Sequence, residues 1–162
     1  MISPPALLTV GYEGAQLADF LNTLRAAGVT RLVDTRERAQ SRRPGYSKTA
    51  LSRALEEQGI GYTHLRPLGT PPSLRKAYRL EHDFALLERG YHAHLAAQGE
   101  ALEQLGALAA QERTCLLCYE ADPETCHRSL IAARLQALGL VGETVHLRVP
   151  GAPVMGAPGT RQ

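Results

Sequence analysis

Short apolar runs alternate with segments of helical periodicity along this chain, and this alternation most constrains its fold. The runs that predict buried strands lie at residues 6–10, 31–35, 60–65, 114–119 and 144–147. Segments with apolar residues at helical spacing separate most of them. Strands that alternate with helices predict a mostly parallel sheet covered by helices on both faces, in a Rossmann-like three-layer sandwich.

Two segments depart from this alternation. Residues 72–111 are predicted to form a helical insertion, with a helix from Leu74 to Gln111 that Gly90 and Gly99 interrupt. Residues 150–162 are rich in proline and glycine, which predicts a flexible C-terminal tail. The remainder, residues 1–149, is sized for one α/β domain.

Composition excludes some classes of protein. No run of about 18 apolar residues is present, and the first ten residues lack the features of a signal peptide. Three cysteines are an odd number and do not make a secreted disulfide framework. We therefore expect a cytoplasmic protein with no membrane span.

The turn after the fourth strand concentrates reactive side chains. Glu120 leaves the strand, and Asp122, followed by a proline, predicts an N-cap. Cys126, His127 and Arg128 are then predicted to lie in the first turns of a helix. Because parallel strands end at one edge of the sheet, where open α/β folds bind ligands, we predict a functional site here.

Other strand ends carry further candidates. Tyr12 follows the first strand, Asp34 and Arg36 end the second, and His64 ends the third. Asp34 is predicted either to pair with Arg36 or to act in catalysis or ribose binding. The helical insertion is expected to flank or cover this edge.

The one strongly basic neighbourhood spans residues 36–53, where six arginines and lysines face only Glu37, although the whole chain has a net charge of only +2. Guanidinium groups make paired hydrogen bonds to phosphate oxygens, so this loop indicates an anionic ligand. The predicted phosphate-binding residues are Arg36, Ser41, Arg42, Arg43 and Lys48. Tyr46 and Tyr12 are candidates to stack on a base. The alternative is a solvated basic loop.

Four motifs occur in a recognisable order. They are Val10-Gly11-Tyr12, Leu32–Arg36 with Ser41–Lys48, Tyr62–Leu65 with Leu68-Gly69, and Cys118–Pro123 with Cys126–Arg128. Through these motifs the chain resembles the domain of unknown function 488 family over about residues 7–148. The resemblance implies an α/β fold and assigns no defined activity.

The cysteines are candidate metal ligands, because thiolate and imidazole suit zinc. Cys115 and Cys118 are an odd number of residues apart on one strand, and Cys126 and His127 are predicted to point apart on a helix, so no metal site is predicted. Cys115 is expected in the core, and a Cys118–Cys126 contact or redox pair stays open.

The predicted function is that of an enzyme, a hydrolase or transferase acting on a nucleotide or nucleic acid. The basic loop, with His64, Asp122 and Arg128, would hold the ligand. Catalytic candidates for cleavage of a glycosidic or phosphate-ester bond are Glu120, Asp34, His127 and Cys126. No cofactor is evident, although paired carboxylates could hold a divalent ion such as magnesium. The alternatives are a non-catalytic nucleotide or nucleic-acid binding module and, less favoured, a thiol redox protein.

Overall fold

Five parallel strands form one sheet in the computed structural model, which describes residues 3–153. The strands are Leu7–Gly11 (β1), Arg31–Asp34 (β2), Gly61–His64 (β3), Thr114–Cys118 (β4) and Thr144–His146 (β5). Their order across the sheet is β3-β2-β4-β1-β5, and every neighbouring pair is parallel. The predicted fold class is therefore confirmed.

Helices cover both faces of the sheet. They are Leu17–Ala26 (α1), Lys48–Glu57 (α2), Pro72–Glu81 (α3), Phe84–Ala96 (α4), Gly99–Gln111 (α5) and His127–Ala137 (α6). One hydrophobic core lies between the sheet and helices α1 and α2, and the other lies between the sheet and helices α4, α5 and α6. The sheet is the middle of three layers.

Strand β4 shows why the central strands are apolar along their whole length. Cys115 and Leu117 belong to the core beside α1 and α2, whereas Leu116 between them belongs to the opposite core. Successive side chains of a strand point to opposite faces, so a strand covered on both faces buries every residue. Removing one such leucine side chain typically costs about 2–5 kcal/mol.

The order of the strands creates a crevice between β1 and β4. These strands are neighbours, with Gly11 paired to Cys118 at their carboxyl ends. Helix α1, which follows β1, covers one face, and helix α6, which follows β4, covers the other. Adjacent strands whose connections leave to opposite faces form a topological switch point, where open α/β sheets bind ligands.

The helical insertion differs from its prediction. It contains three helices, with breaks at His82-Asp83 and Ala97-Gln98. His82 has a left-handed backbone with φ 54°, and the Asp83 carboxylate accepts a hydrogen bond from the Leu86 backbone N–H at 3.1 Å, which starts α4. The interruption predicted at Gly90 was wrong, since Gly90 lies inside α4.

The end of the chain is described only in part. Arg148 donates hydrogen bonds to the carbonyls of Ala152 and Pro153. The rest of the predicted flexible tail, from residue 154 onward, lies outside the described residues. Within residues 3–153 no helix combines the length and the apolar character needed to span a membrane.

Candidate functional site

A cleft of about 320 Å³ opens at the carboxyl ends of β1, β2 and β4. Its walls come from the loops after these strands and from the insertion. The residues that line it and matter for its chemistry are Tyr12, Arg36, Arg38, Arg75, Tyr78, Arg79, Cys118, Tyr119, Glu120 and His127. The switch point identified from the strand order is therefore a concave site with charged and aromatic walls.

Glu120 is the acidic group of this cleft that follows β4. Its side chain is partly buried, and one carboxylate oxygen, Oε2, lies 3.4 Å from Sγ of Cys118. Burial raises the pKa of Glu120, although its backbone hydrogen bond and the nearby Arg128 oppose the shift. A carboxyl group with a raised pKa is suited to proton transfer.

Arg128 is fully buried beneath the turn that carries Glu120. Its guanidinium donates to the backbone carbonyls of Glu120 and Ala121, to the Thr9 hydroxyl and to Sγ of Cys118. Burial lowers the pKa of Arg128 to about 10. Through these contacts the side chain of Arg128 holds the backbone around Glu120. It does not line the cleft, where a phosphate would bind.

Asp34 and Arg36 form a buried ion pair. Nε and Nη2 of Arg36 donate to the two carboxylate oxygens of Asp34 at 2.9 and 2.7 Å, and the Tyr62 hydroxyl donates to Oδ2 at 2.5 Å. Burial alone would lower the pKa of Arg36, but the hydrogen bonds and charge of Asp34 outweigh it and raise the pKa. The predicted pairing of Asp34 with Arg36 is therefore present. Nη1 of Arg36 also donates to the Tyr12 hydroxyl at 3.2 Å.

Two histidines hold the chain that follows β2. Nε2 of His127 lies 2.8 Å from the Thr35 carbonyl, and Nε2 of His64 lies 2.7 Å from the Arg36 carbonyl. Burial lowers the pKa of His127 to about 4, so its ring is neutral at pH 7. His127 lines the cleft, whereas His64 lines a neighbouring groove.

The turn before α6 differs from its prediction. Asp122 caps a short 3-10 helix, Pro123–Thr125, and not α6 itself. Cys126 then adopts an extended backbone with φ −128° and ψ 144°, and α6 begins at His127. Because Cys126 is not helical, its side chain and that of His127 reach the same side, with Sγ 3.7 Å from Nδ1. The expectation that they point apart was wrong.

The three cysteines occupy two environments. Cys115 is buried in the core as predicted, and burial raises the pKa of its thiol. Cys118 points to the opposite face of β4, where its sulfur is joined to that of Cys126 in a disulfide, with Sγ atoms 2.03 Å apart. The contact left open by the sequence is present.

The predicted basic loop contributes less to the cleft than expected. Arg43 donates from Nη2 to the Ala15 carbonyl, and Tyr46 is buried, with its hydroxyl donating to the same carbonyl and its ring stacked on Tyr12 at 4.5 Å. Burial raises the pKa of Tyr46 to about 12. Both side chains therefore pack the loop against the start of α1.

Other members of that loop lie elsewhere. Ser41 and Lys48 line a broad open groove beside the cleft, and Arg42 is exposed and lines neither. The groove and the cleft share Arg38 and Arg75 in their walls. The cleft and the groove therefore adjoin, with Arg38, Arg75 and the acidic Glu37 at their boundary.

The cations of α3 were missed from the sequence. Arg75, Tyr78 and Arg79 line the cleft at positions i, i+3 and i+4 of a helix without a fully buried residue. Arg75 also pairs with Glu37 at 3.1 Å. The sequence did contain a signal for them, because two arginines and a tyrosine lie on one face of a polar helix. Such a face does not pack into the core and is free to line a cleft.

Comparison with known proteins gives one family. The family model described as "Domain of unknown function DUF488" matches residues 16–135. No curated protein matches the chain, and no solved structure matches it.

Proposed function

The chain belongs to the DUF488 family, whose description names no activity, and we propose that it is an enzyme acting on a nucleotide or nucleic acid bound in its cleft. The observation that carries this proposal is that Glu120 and the three arginines Arg38, Arg75 and Arg79 line one cavity. Cations beside a partly buried acid suit a phosphate-bearing substrate that undergoes proton transfer.

The dimensions and walls of the cleft support this class of ligand. About 320 Å³ lies at the lower end of the range for small-molecule pockets, roughly 300–1,000 Å³. Tyr78 and Tyr119 add aromatic rings to the wall, on which a base can stack. One nucleotide unit therefore fits the charge and the size of the site.

The neighbouring groove favours a nucleic acid over a free nucleotide. Lys48, Arg66 and Ser41 line it, together with the shared Arg38 and Arg75. Side chains of these types bind phosphate oxygens without reading sequence. A strand with one nucleotide in the cleft would have its flanking phosphates along this groove.

Glu120 is the proposed general acid or base. Cleavage of a glycosidic or phosphate-ester bond requires a proton to be given to the leaving group or taken from water, and a carboxyl group in partial burial can do either. Asp34 acts through Arg36, which it orients at the cleft wall.

The test combines binding and turnover. The purified protein is screened for thermal stabilisation by mononucleotides and by short DNA and RNA, with and without magnesium, because a ligand that binds only the folded state raises the melting temperature. Glu120→Gln keeps the size of the side chain and is expected to abolish product formation while the stabilisation survives. Absence of stabilisation by every phosphate-bearing compound would reject the proposal.

A non-catalytic binding module is the second candidate, and the open basic groove favours it. Its distinguishing result is stabilisation by nucleic acid with no product formed by the wild-type protein, with or without magnesium. Glu120→Gln would then leave every measured property unchanged.

A further inference from the structure

Three side chains of the types that metal ions prefer converge beside the cleft, at the start of α6. One ligand atom from each of Cys118, Cys126 and His127 lies within 4.8 Å of the other two. In the described part of the chain, residues 3–153, this is the one such group of histidine, cysteine and acidic side chains. We propose that the reduced protein binds zinc, or a similar thiophilic divalent ion, through the two cysteine sulfurs and Nδ1 of His127.

The hydrogen bond of His127 prepares its ring to bind a metal. The carbonyl of Thr35 can only accept, so Nε2, 2.8 Å away, must carry the ring proton. Nδ1 then holds a free lone pair, and it lies 3.7 Å from Sγ of Cys126. Metal-binding histidines commonly donate their other ring N–H to a carbonyl in this way, which fixes both tautomer and orientation.

The backbone spacing of the two cysteines also suits a bridging ion. Their Cα atoms are 7.4 Å apart, wider than the usual disulfide range of about 4.4–6.8 Å. With Zn–S bonds of about 2.3 Å in a tetrahedral shell, the two sulfurs would lie about 3.8 Å apart. An inserted ion lengthens the bridge by one atom and therefore accommodates the wider backbone.

The surroundings orient one of the sulfurs and leave the site accessible from the cleft. Nη1 of Arg128 donates to Sγ of Cys118 at 3.3 Å, which holds that sulfur in place. Cys118 and His127 also line the cleft. An ion can therefore reach the site from the cleft.

Three protein ligands leave the fourth position of a tetrahedral ion open, as in catalytic zinc sites. Oε2 of Glu120 lies 3.4 Å from Sγ of Cys118, one of the proposed ligand atoms. If the proposed function holds, the ion would activate a water molecule in the cleft with Glu120 as the proton acceptor, and the reaction would be a hydrolysis. Metal binding itself does not depend on the proposed function.

The disulfide must be reduced before an ion can bind to its sulfurs. A dithiol reductant transfers two electrons and two protons to the Cys118–Cys126 disulfide, yielding two thiols, and is itself oxidised to a disulfide. Binding of Zn²⁺ to the two sulfurs then releases two protons to water.

The test titrates the full chain, reduced under argon, with Co²⁺ and Zn²⁺. We expect one ion per chain, with thiolate-to-cobalt charge-transfer absorption in the near ultraviolet, which Zn²⁺ abolishes by displacement. Mg²⁺ in excess should not compete, because thiolates select soft ions. Cys118→Ser and Cys126→Ser should lose the charge-transfer band, whereas Cys115→Ala, which removes the buried third thiol, should keep it.

A second measurement uses the wild-type protein alone and so does not depend on the folding of variants. In reduced protein, bound Zn²⁺ should protect Cys118 and Cys126 from alkylation, detected by mass spectrometry of the peptides. Absence of stoichiometric binding by the reduced wild type, or alkylation of both residues at the same rate with and without Zn²⁺, would overturn the proposal and leave the pair as a disulfide only.

Discussion

The carbonyl of Glu120 occupies the space where a side chain on Gly11 would stand. A Cβ placed on Gly11 would lie 1.8 Å from the oxygen of that carbonyl. The same carbonyl accepts a hydrogen bond from the buried Arg128. Backbone atoms therefore form the bottom of the crevice between β1 and β4. Their close packing fixes the position of the Glu120 backbone, from which its side chain projects.

Gly11→Ala should destabilise the protein and disturb the site. The contact is with backbone, which cannot rotate away, so we expect a loss near the upper end of overpacking costs, about 3 kcal/mol in the free energy of unfolding. Urea denaturation measures it. Gly99→Ala is the control, because nothing lies within 4 Å of an added Cβ there and the position begins a helix. Equal stabilities of the two variants would contradict the packing described for Gly11.

Asp34→Asn should cost more stability than loss of an exposed ion pair. The variant leaves the guanidinium of Arg36, only 7% exposed, without its charge partner, and breaking one side of a buried pair typically costs about 3–5 kcal/mol. Glu112→Gln removes the partner of Arg31 in a pair with both side chains more than a quarter exposed, for which we expect less than about 1 kcal/mol. Chemical denaturation of both variants makes the comparison. Similar losses of stability in the two variants would show that, without the Asp34 charge, the guanidinium of Arg36 is hydrated or pairs with another group.

The fold was predictable because its signals are local. Each predicted strand is present within two residues at either end, since buried parallel strands are short apolar runs that the sequence displays directly. The insertion was less predictable. Its first break depends on the left-handed backbone of His82, and its packing depends on Gly90, where a Cβ would lie 2.6 Å from Cδ2 of Leu74. The second of these features is a tertiary contact between α3 and α4.

The candidate site was predictable to the extent that it consists of strand ends. Tyr12, Arg36, Glu120 and His127 meet in the cleft because parallel strands share a carboxyl edge. The roles assigned to them stay predictions. Arg43 could not be placed from sequence, because a basic side chain in a loop is free to face either solvent or, as here, a nearby carbonyl.

Replacing two arginines of α3 should weaken anion binding without harming the fold. Arg75 and Arg79 line the cleft and sit on a helix with no fully buried residue. A hydrogen bond to a charged group contributes about 1.5–3 kcal/mol, so the double change to Gln should raise the Kd for a stabilising nucleotide or oligonucleotide at least about tenfold. The melting temperature without ligand should stay close to that of the wild type.

The matched control is Arg89→Gln, which removes an exposed arginine of the neighbouring α4 that does not line the cleft. Fluorescence anisotropy at two salt concentrations gives both affinity and salt dependence. The double variant should show a shallower salt dependence, because it neutralises fewer phosphates. If Arg89→Gln weakened binding as much as the double variant, the loss of affinity would come from the change in net charge. Arg75 and Arg79 would then not bind the ligand directly.

Acid should destabilise the protein through His146, because the folded structure favours the neutral form of its ring. The Thr9 hydroxyl accepts from Nε of Arg128 at 3.1 Å and lies 2.6 Å from Nδ1 of His146, to which it donates its hydrogen when that nitrogen is unprotonated. When His146 is protonated, Nδ1 has no lone pair left to accept that hydrogen. Burial, with a smaller effect of the Arg128 charge, lowers the pKa of His146 in the folded protein.

The sign of the pH dependence follows from that direction. Because the folded pKa lies below the ordinary value of about 6.5, the unfolded chain binds a proton first as the pH falls, so the contribution of His146 to stability is complete above about pH 6.5 and decreases below it. Denaturation series between pH 8 and pH 5, about this window, should show a shallower decline for His146→Gln than for the wild type, since Gln does not titrate. Parallel curves for the two proteins would mean that His146 binds its proton equally well in the folded and the unfolded protein. The series of hydrogen bonds from Arg128 through Thr9 would then not extend to His146.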